Sequence, residues 1–510
     1  MPPLGHPDVL VVLAHSGAMD NRQCVGTSLL PEPPAPHRSR RVLRQVLVAA
    51  LAGGFLAGGV LVLLSEEPQR RSGPVRPPAA GPQAAPRVRQ EALTTVTYGV
   101  PAALPGLTAL IGREEQRVRE RPKDARAWAV LGSAYVERGR RAGDAADYPK
   151  AERALRTSLE VRGGRNTEAL DGLTALALAR RDFPAAKSYG EQALKAAPKR
   201  WSAYPPLIDA YTGLGDYKKA RAALDTLMGL RTGPAERPAV RARAAAVYRD
   251  RGWREDAVAQ LTDAAAAART PAEQAAWLAG VGQLAWERGD LPDALRHFEA
   301  ALRLDPDQRT AAVGRARTLA AQGRTAQALA AYRAVVAHRP DPEDLLELGE
   351  LYESLDQPRP AEEQYARLRE AVRRSVAGGV DEELLIGRFE ADHGDPWEAV
   401  ERLREEWRRQ PGIEVADALG WALHRSGEDQ EALTYATAAT DESKGGGVRS
   451  ALYAFHRGVI EAELERYGPA RRYLEEALRI NPYFSPLRVP VAREALQALG
   501  DESEEPPPSE

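Results

Sequence analysis

Alanine recurs along this chain at a spacing few folds tolerate. It stands at Ala186, Ala220, Ala257, Ala294, Ala328, Ala361, Ala399, Ala432 and Ala470, in steps of 34, 37, 37, 34, 33, 38, 33 and 38 residues. Proline keeps the same time at Pro198, Pro306, Pro340, Pro411 and Pro482. The unit is clearest over residues 198–233. There Trp201, Tyr204, Leu207, Ile208 and Tyr211 fall on one helix face, and Tyr217, Ala220, Leu224 and Leu227 on another. Gly215 and Asp216 break the pattern between them, which predicts a helical hairpin. A hairpin of this length has too little apolar area to fold alone, so copies must stack.

The period, with Trp128, Leu131, Gly132 and Tyr135 in a W-x2-L-G-x2-Y pattern, resembles the tetratricopeptide-repeat family over about residues 104–499. That resemblance implies an all-α, right-handed superhelix (an α-solenoid) of about ten helix-turn-helix repeats. Copies are expected to start near Asp124, Thr167, Trp201, Pro238, Ala275, Arg309, Pro342, Val380, Ile413 and Ala451. Residues 104–121 read as an N-terminal cap and 486–499 as a C-terminal one. Pro205-Pro206 can sit only in a first helical turn, so that helix starts late. Extra residues at 141–147 are expected to form a surface loop, and 444–448, with three glycines, a flexible joint.

The rest of the chain carries no second domain. Residues 1–41 read as a disordered tail. Residues 42–64 read as a transmembrane signal anchor, whose uncharged run 46–64 is 19 residues long, about 29 Å as a helix against a bilayer core of about 30 Å. Arg41 and Arg44 before it, against Glu66 and Glu67 after it, predict a cytoplasmic N-terminus and an extracytoplasmic array. A cleaved signal peptide and a buried core helix are the alternatives. Ala50, Gly54 and Gly58 form a small-residue row through which two such helices could pair as a homodimer. Residues 65–103 read as a Pro-, Ala- and Arg-rich linker, and 500–510 as a disordered acidic tail.

Charge balances to −2, so no basic excess points to nucleic acid. Cys24 is the only cysteine, which excludes an intramolecular disulfide. The eight histidines show no ligand pair at metal-binding spacing, and no glycine loop cradles a phosphate. No catalytic residue, metal or cofactor is expected. The chain reads as a non-enzymatic protein-binding scaffold at the cell envelope. A non-catalytic subunit of an envelope-biogenesis enzyme complex is the alternative, or a soluble, cytoplasmic regulator if the apolar run is cleaved or reversed.

The resemblance also implies that partners lie in a groove lined by the first helices. At its groove positions stand Trp286, Trp421, Phe455, Arg249, Arg317, Arg388, Gln283 and Glu350. The aromatic ones are candidate anchors for a partner peptide. Packing on the next helix is their competing role. No ninth position is Asn, so the family's clamp for a partner's terminal carboxylate is not expected here.

Overall fold

The computed structural model describes residues 101–163, 165–338, 340–441 and 447–500, all within one compact unit. The tail at 1–41, the anchor at 42–64, most of the linker, most of the glycine joint and the acidic tail from 501 lie outside the described residues. Among the described residues no helix is long and apolar enough to cross a membrane, and there is no strand.

Twenty-two α-helices make up the described chain. A single helix, α1 (Leu104–Glu120), precedes ten hairpins. These pair α2 (Ala125–Ala142) with α3 (Tyr148–Arg162), α4 (Thr167–Ala179) with α5 (Phe183–Ala196), and α6 (Tyr204–Gly213) with α7 (Tyr217–Gly229). Next come α8 (Arg237–Asp250) with α9 (Arg254–Ala267), α10 (Pro271–Glu287) with α11 (Leu291–Leu304), and α12 (Arg309–Ala321) with α13 (Thr325–His338). The last four are α14 (Pro342–Glu353) with α15 (Pro358–Ala377), α16 (Glu383–His393) with α17 (Pro396–Arg409), α18 (Ile413–Arg425) with α19 (Asp429–Thr440), and α20 (Ala451–Glu463) with α21 (Tyr467–Ile480). The capping helix α22 (Arg488–Ala498) closes the array.

The hairpin turns show why this sequence folds this way. Gly215 takes φ +69° after α6, and the Asp216 amide bonds back to the Tyr211 carbonyl at 2.8 Å. Asp216 then caps α7 by accepting from the Lys219 amide at 3.1 Å. One Gly-Asp pair thus ends one helix and starts the next. Asp290 and Asp182 do the same after Gly289 and Arg181. The nine periodic alanines are all at most 3% exposed, which is what lets neighbouring helices approach. Large residues fill the gaps that glycines leave. Phe298, fully buried, lies between Gly282 and Gly314, where a Cβ would come within 2.8 and 2.3 Å of its ring.

Successive coils of the superhelix touch. The hairpin turn at Gly215 abuts Pro411, the turn at Gly252 abuts Gly447, and the turn at Gly289 abuts Asn481 and Pro482. The Arg180 carbonyl accepts the Asp381 amide at 2.9 Å, and the Arg180 guanidinium donates to the Gly378 carbonyl at 3.1 Å. The Gln410 side chain bonds both the Arg181 carbonyl, at 3.0 Å, and the Phe183 amide, at 3.2 Å. Tyr217 accepts the Ile413 amide at 3.2 Å. The separations 378 − 180, 411 − 215, 447 − 252 and 481 − 289 are 198, 196, 195 and 192 residues. The turns at Arg180, Gly215 and Gly252 therefore meet the connection between the fifth and sixth hairpins beyond them, and the turn at Gly289 meets the connection between the last hairpin and the capping helix.

This seam corrects one expectation. Residues 141–147 are not a free surface loop. Arg141 and Asp147 are buried, and Arg141 is ion-paired with Asp305 across 164 residues. Ala145 meets Gly378 on the next coil. The extra residues lengthen α2 and add a 3-10 turn, Ala145–Asp147, which packs into the seam. Smaller differences have local causes. The fifth hairpin starts at Pro271 rather than Ala275, because Thr270 caps it by accepting the Glu273 amide. Trp201–Ala203 forms a 3-10 turn, and the helix proper begins at Tyr204, just before Pro205.

Candidate functional site: the lumen of the superhelix

The first helices of the later hairpins surround a cavity of about 600 Å³. Trp286 from α10, Arg317 from α12, Glu350 from α14, Arg388 from α16 and Trp421 from α18 all line it. Each helix contributes because its groove position recurs about one repeat later, on the same side of the wall.

The wall is a ladder of paired charges. Arg249 donates to both oxygens of Glu287 at 2.8–2.9 Å, and Gln283 donates to Glu287 at 3.1 Å. Arg317 donates to Gln283 at 3.3 Å and to Glu347 at 3.2 Å through Nε, and it lies over the Trp286 ring at 5.7 Å. Arg388 pairs with Glu343 at 3.2 Å. These two side chains keep 41% and 45% of their surface in water, so their pairing is screened and contributes at most about 1 kcal/mol. The ladder is more informative about shape and charge than about stability.

Protonation follows the surroundings. Burial raises the pKa of the Glu350 carboxyl, but the His393 imidazole, 3.8 Å away, and the charge of Arg488 outweigh it and hold the group below the usual range. Asp250 goes the other way: burial, reinforced by Glu414, Glu287 and Asp209, pushes it up to about 6 in spite of Arg249.

The eight sequence candidates separate here. Five line the cavity. Arg249 and Gln283 extend the ladder beyond it through Glu287. Phe455 is a correction: at 1% exposure it lies in the core between Trp421 and Phe484, with ring centroids at 5.8 and 5.6 Å, and presents nothing to a partner. The indoles of Trp286 and Trp421 are only 7% and 9% exposed, so each offers an edge rather than a face. Trp421 donates to Asp392 at 2.9 Å and stacks on His456 at 4.2 Å.

Sequence reasoning missed the rest of the wall. Asp417 accepts from or pairs with His456 Nδ1 at 3.0 Å, and the buried His456 Nε2 has no hydrogen-bond partner. Residues 482–490 cross the cavity mouth, and Arg488 pairs with both Glu350 and Asp392. The one signal available was Pro482, Tyr483, Phe484, Ser485 and Pro486, which interrupt the helical pattern ahead of the cap. Among the described residues no group of three or more His, Cys, Asp or Glu could hold a metal ion.

The profile of the tetratricopeptide repeat family matches residues 280–344. The matched segment runs from within α10 to the start of α14, and the other hairpins share its buried alanine on the second helix. No curated relative matches the chain. Among solved structures, a human IFIT1 dimer with PPP-AAAA is 17% identical, covers 61% of this chain and 71% of its own, and superposes with a TM-score of 0.42. A tetratricopeptide repeat protein from Parabacteroides merdae is 19% identical, over 52% of this chain and 100% of that one, with a TM-score of 0.31. Pseudomonas aeruginosa pilF is 21% identical, over 41% and 93%, with a TM-score of 0.32.

Proposed function

We propose that the chain is a non-enzymatic scaffold that receives a segment of a partner protein in its lumen. The observation that carries this reading is the cavity itself, walled by groove positions of five successive first helices. Tetratricopeptide repeats mediate protein–protein interaction in general, and a concave row of first helices suits an extended or helical peptide. The reading includes a tether through residues 46–64 that holds the array outside the cytoplasm. Its support is the length of the uncharged run and the flanking charges in the sequence.

Photo-crosslinking in membranes tests the binding. A crosslinker at Arg388, in the lumen, should capture the same partner as one at Glu350. One at Glu405, exposed on a second helix, should not. Capture from Glu405 alone would remove the lumen from the argument. Reporter fusions on either side of 46–64 test the tether, and a cytoplasmic array would reverse the topology.

A further inference from the structure

The loop and cap at the end of the array do more than cover its last hairpin. Covering requires only apolar contact, and Val489 and the fully buried Ala492 supply it. Arg488 instead reaches across the lumen. Its guanidinium pairs with Glu350, 138 residues earlier on α14, and with Asp392, 96 residues earlier on α16. Neither helix neighbours α22 in the stack. Just before it, the Phe484 ring rests on Phe455 at 5.6 Å, and Asn481 bonds the Trp286 carbonyl at 2.9 Å. Residues 481–488 therefore cross the groove from α10 to α14 and α16, as a bound peptide would.

The charge count says what this segment replaces. Without residues 481–493 the cavity lining holds four carboxylates, Glu347, Glu350, Asp392 and Asp417, against two guanidiniums, Arg317 and Arg388. Those carboxylates and guanidiniums sum to −2. Arg488 and Arg493 from the closing segment bring the lining to zero. An occupant that took the segment's place would have to supply a cation at Glu350, which would otherwise keep only His393 at 3.8 Å, whereas Asp392 would retain Arg425 at 3.5 Å and the Trp421 indole at 2.9 Å. The segment is also imperfectly seated: Arg488 Nε is buried with no hydrogen-bond partner.

We propose that the lumen receives a cationic segment of a partner protein, and that residues 482–488 hold that place in the free chain as an internal competitor. This rests on the lumen reading above and gives its partner a chemistry. Tethered competition lowers apparent affinity, because a short linker gives a competitor an effective concentration near the millimolar range.

The test uses the full-length chain in detergent and a fluorescein-labelled peptide with the sequence of residues 481–490. Anisotropy should show the peptide binding Arg488→Ala at least ten-fold more tightly than the unmodified chain. A peptide with Glu in place of its Arg should not bind. Adding Glu350→Gln and Asp392→Asn to Arg488→Ala should abolish the gain, since the segment is released in both variants but only one keeps the acidic wall. Equal affinity for both peptides, or for all variants, overturns the proposal. Should Arg488→Ala fail to fold by circular dichroism, hydrogen exchange in the unmodified chain decides: residues 482–490 must exchange faster with saturating peptide, and no change overturns the idea. Partner capture from Arg388 that persists after such a result would leave the scaffold reading standing and remove only this competitor.

Discussion

Asn481 donates its side-chain amide to the backbone carbonyl of Trp286 at 2.9 Å, across 195 residues of chain. The bond joins the seam between coils to the wall of the lumen, because Trp286 lines the cavity and Asn481 begins the segment that closes it. The Asn481 Oδ1 also accepts the Tyr483 amide at 2.9 Å, so one buried side chain fixes both ends of the junction.

Asn481→Ala should therefore cost about 1–3 kcal/mol, the range for removing one partner from a buried hydrogen bond. The loss should be local. Hydrogen exchange is expected to rise at residues 287–291 and 482–488 and to stay unchanged at the Gly215–Pro411 contact. Uniform loosening along the array would show that the coils are not held by separate contacts.

Gly215 and Gly427 separate the seam from the turn. Both take a left-handed φ, +69° and +85°, but a Cβ at Gly215 would sit 2.4 Å from the Pro411 carbonyl oxygen while one at Gly427 meets nothing within 4 Å. Gly427→Ala should cost only the left-handed strain, about 1–2 kcal/mol. Gly215→Ala should lose about 1–3 kcal/mol more through overpacking. Thermal melts of the two variants compare them directly, and equal shifts would mean that the seam yields freely.

Trp421 is now best tested by a small change, because an indole 9% exposed is part of the wall. Truncation to Ala would cost about 3–5 kcal/mol and confuse folding with binding. Trp421→Phe keeps most of the packing and removes the bond from Nε1 to Asp392. It should lower stability by about 1.5–3 kcal/mol, the net value of a hydrogen bond to a charged group. Denaturant unfolding followed by circular dichroism checks this.

Asp250 predicts a pH dependence with a definite sign. Its folded pKa is raised from the ordinary 3.8 to about 6, chiefly by burial. Between those values the folded chain binds more protons than the unfolded one. Its contribution to stability is therefore most favourable at low pH and declines as pH rises through 4 to 6. Asp250→Asn should flatten that decline and raise stability above pH 6 by roughly 1–3 kcal/mol, the order expected for a shift of this size. Unfolding midpoints measured from pH 4 to 8 test it, and an unaltered slope in the variant would assign the dependence elsewhere.

The hairpins were legible because their causes are local. Buried alanines such as Ala294, the turn at Gly215-Asp216 and the prolines at helix starts each act within a few residues of themselves. Five hairpins begin at the expected residue, at Thr167, Arg309, Pro342, Ile413 and Ala451. The seam was not legible. Arg141 and Asp305, or Tyr217 and Ile413, meet only because coil pitch brings them together, and pitch is a sum of many small crossing angles that no short pattern encodes. The lumen was legible in part for the same reason. The repeat gave the positions of Arg317, Glu350 and Arg388, but Arg488 enters from outside the period. Phe455 stood at a groove position and was still buried, because Phe484 folds back onto it.

A coil whose turns stand apart can lengthen under load as a spring does. Here a pull on the two ends must first strip the contacts of Arg180, Gln410, Tyr217 and Asn481 from the neighbouring coil. Residues 101–500 should consequently behave as a strut with a bore of fixed length, and a partner threaded into it would be gauged for size instead of being wrapped.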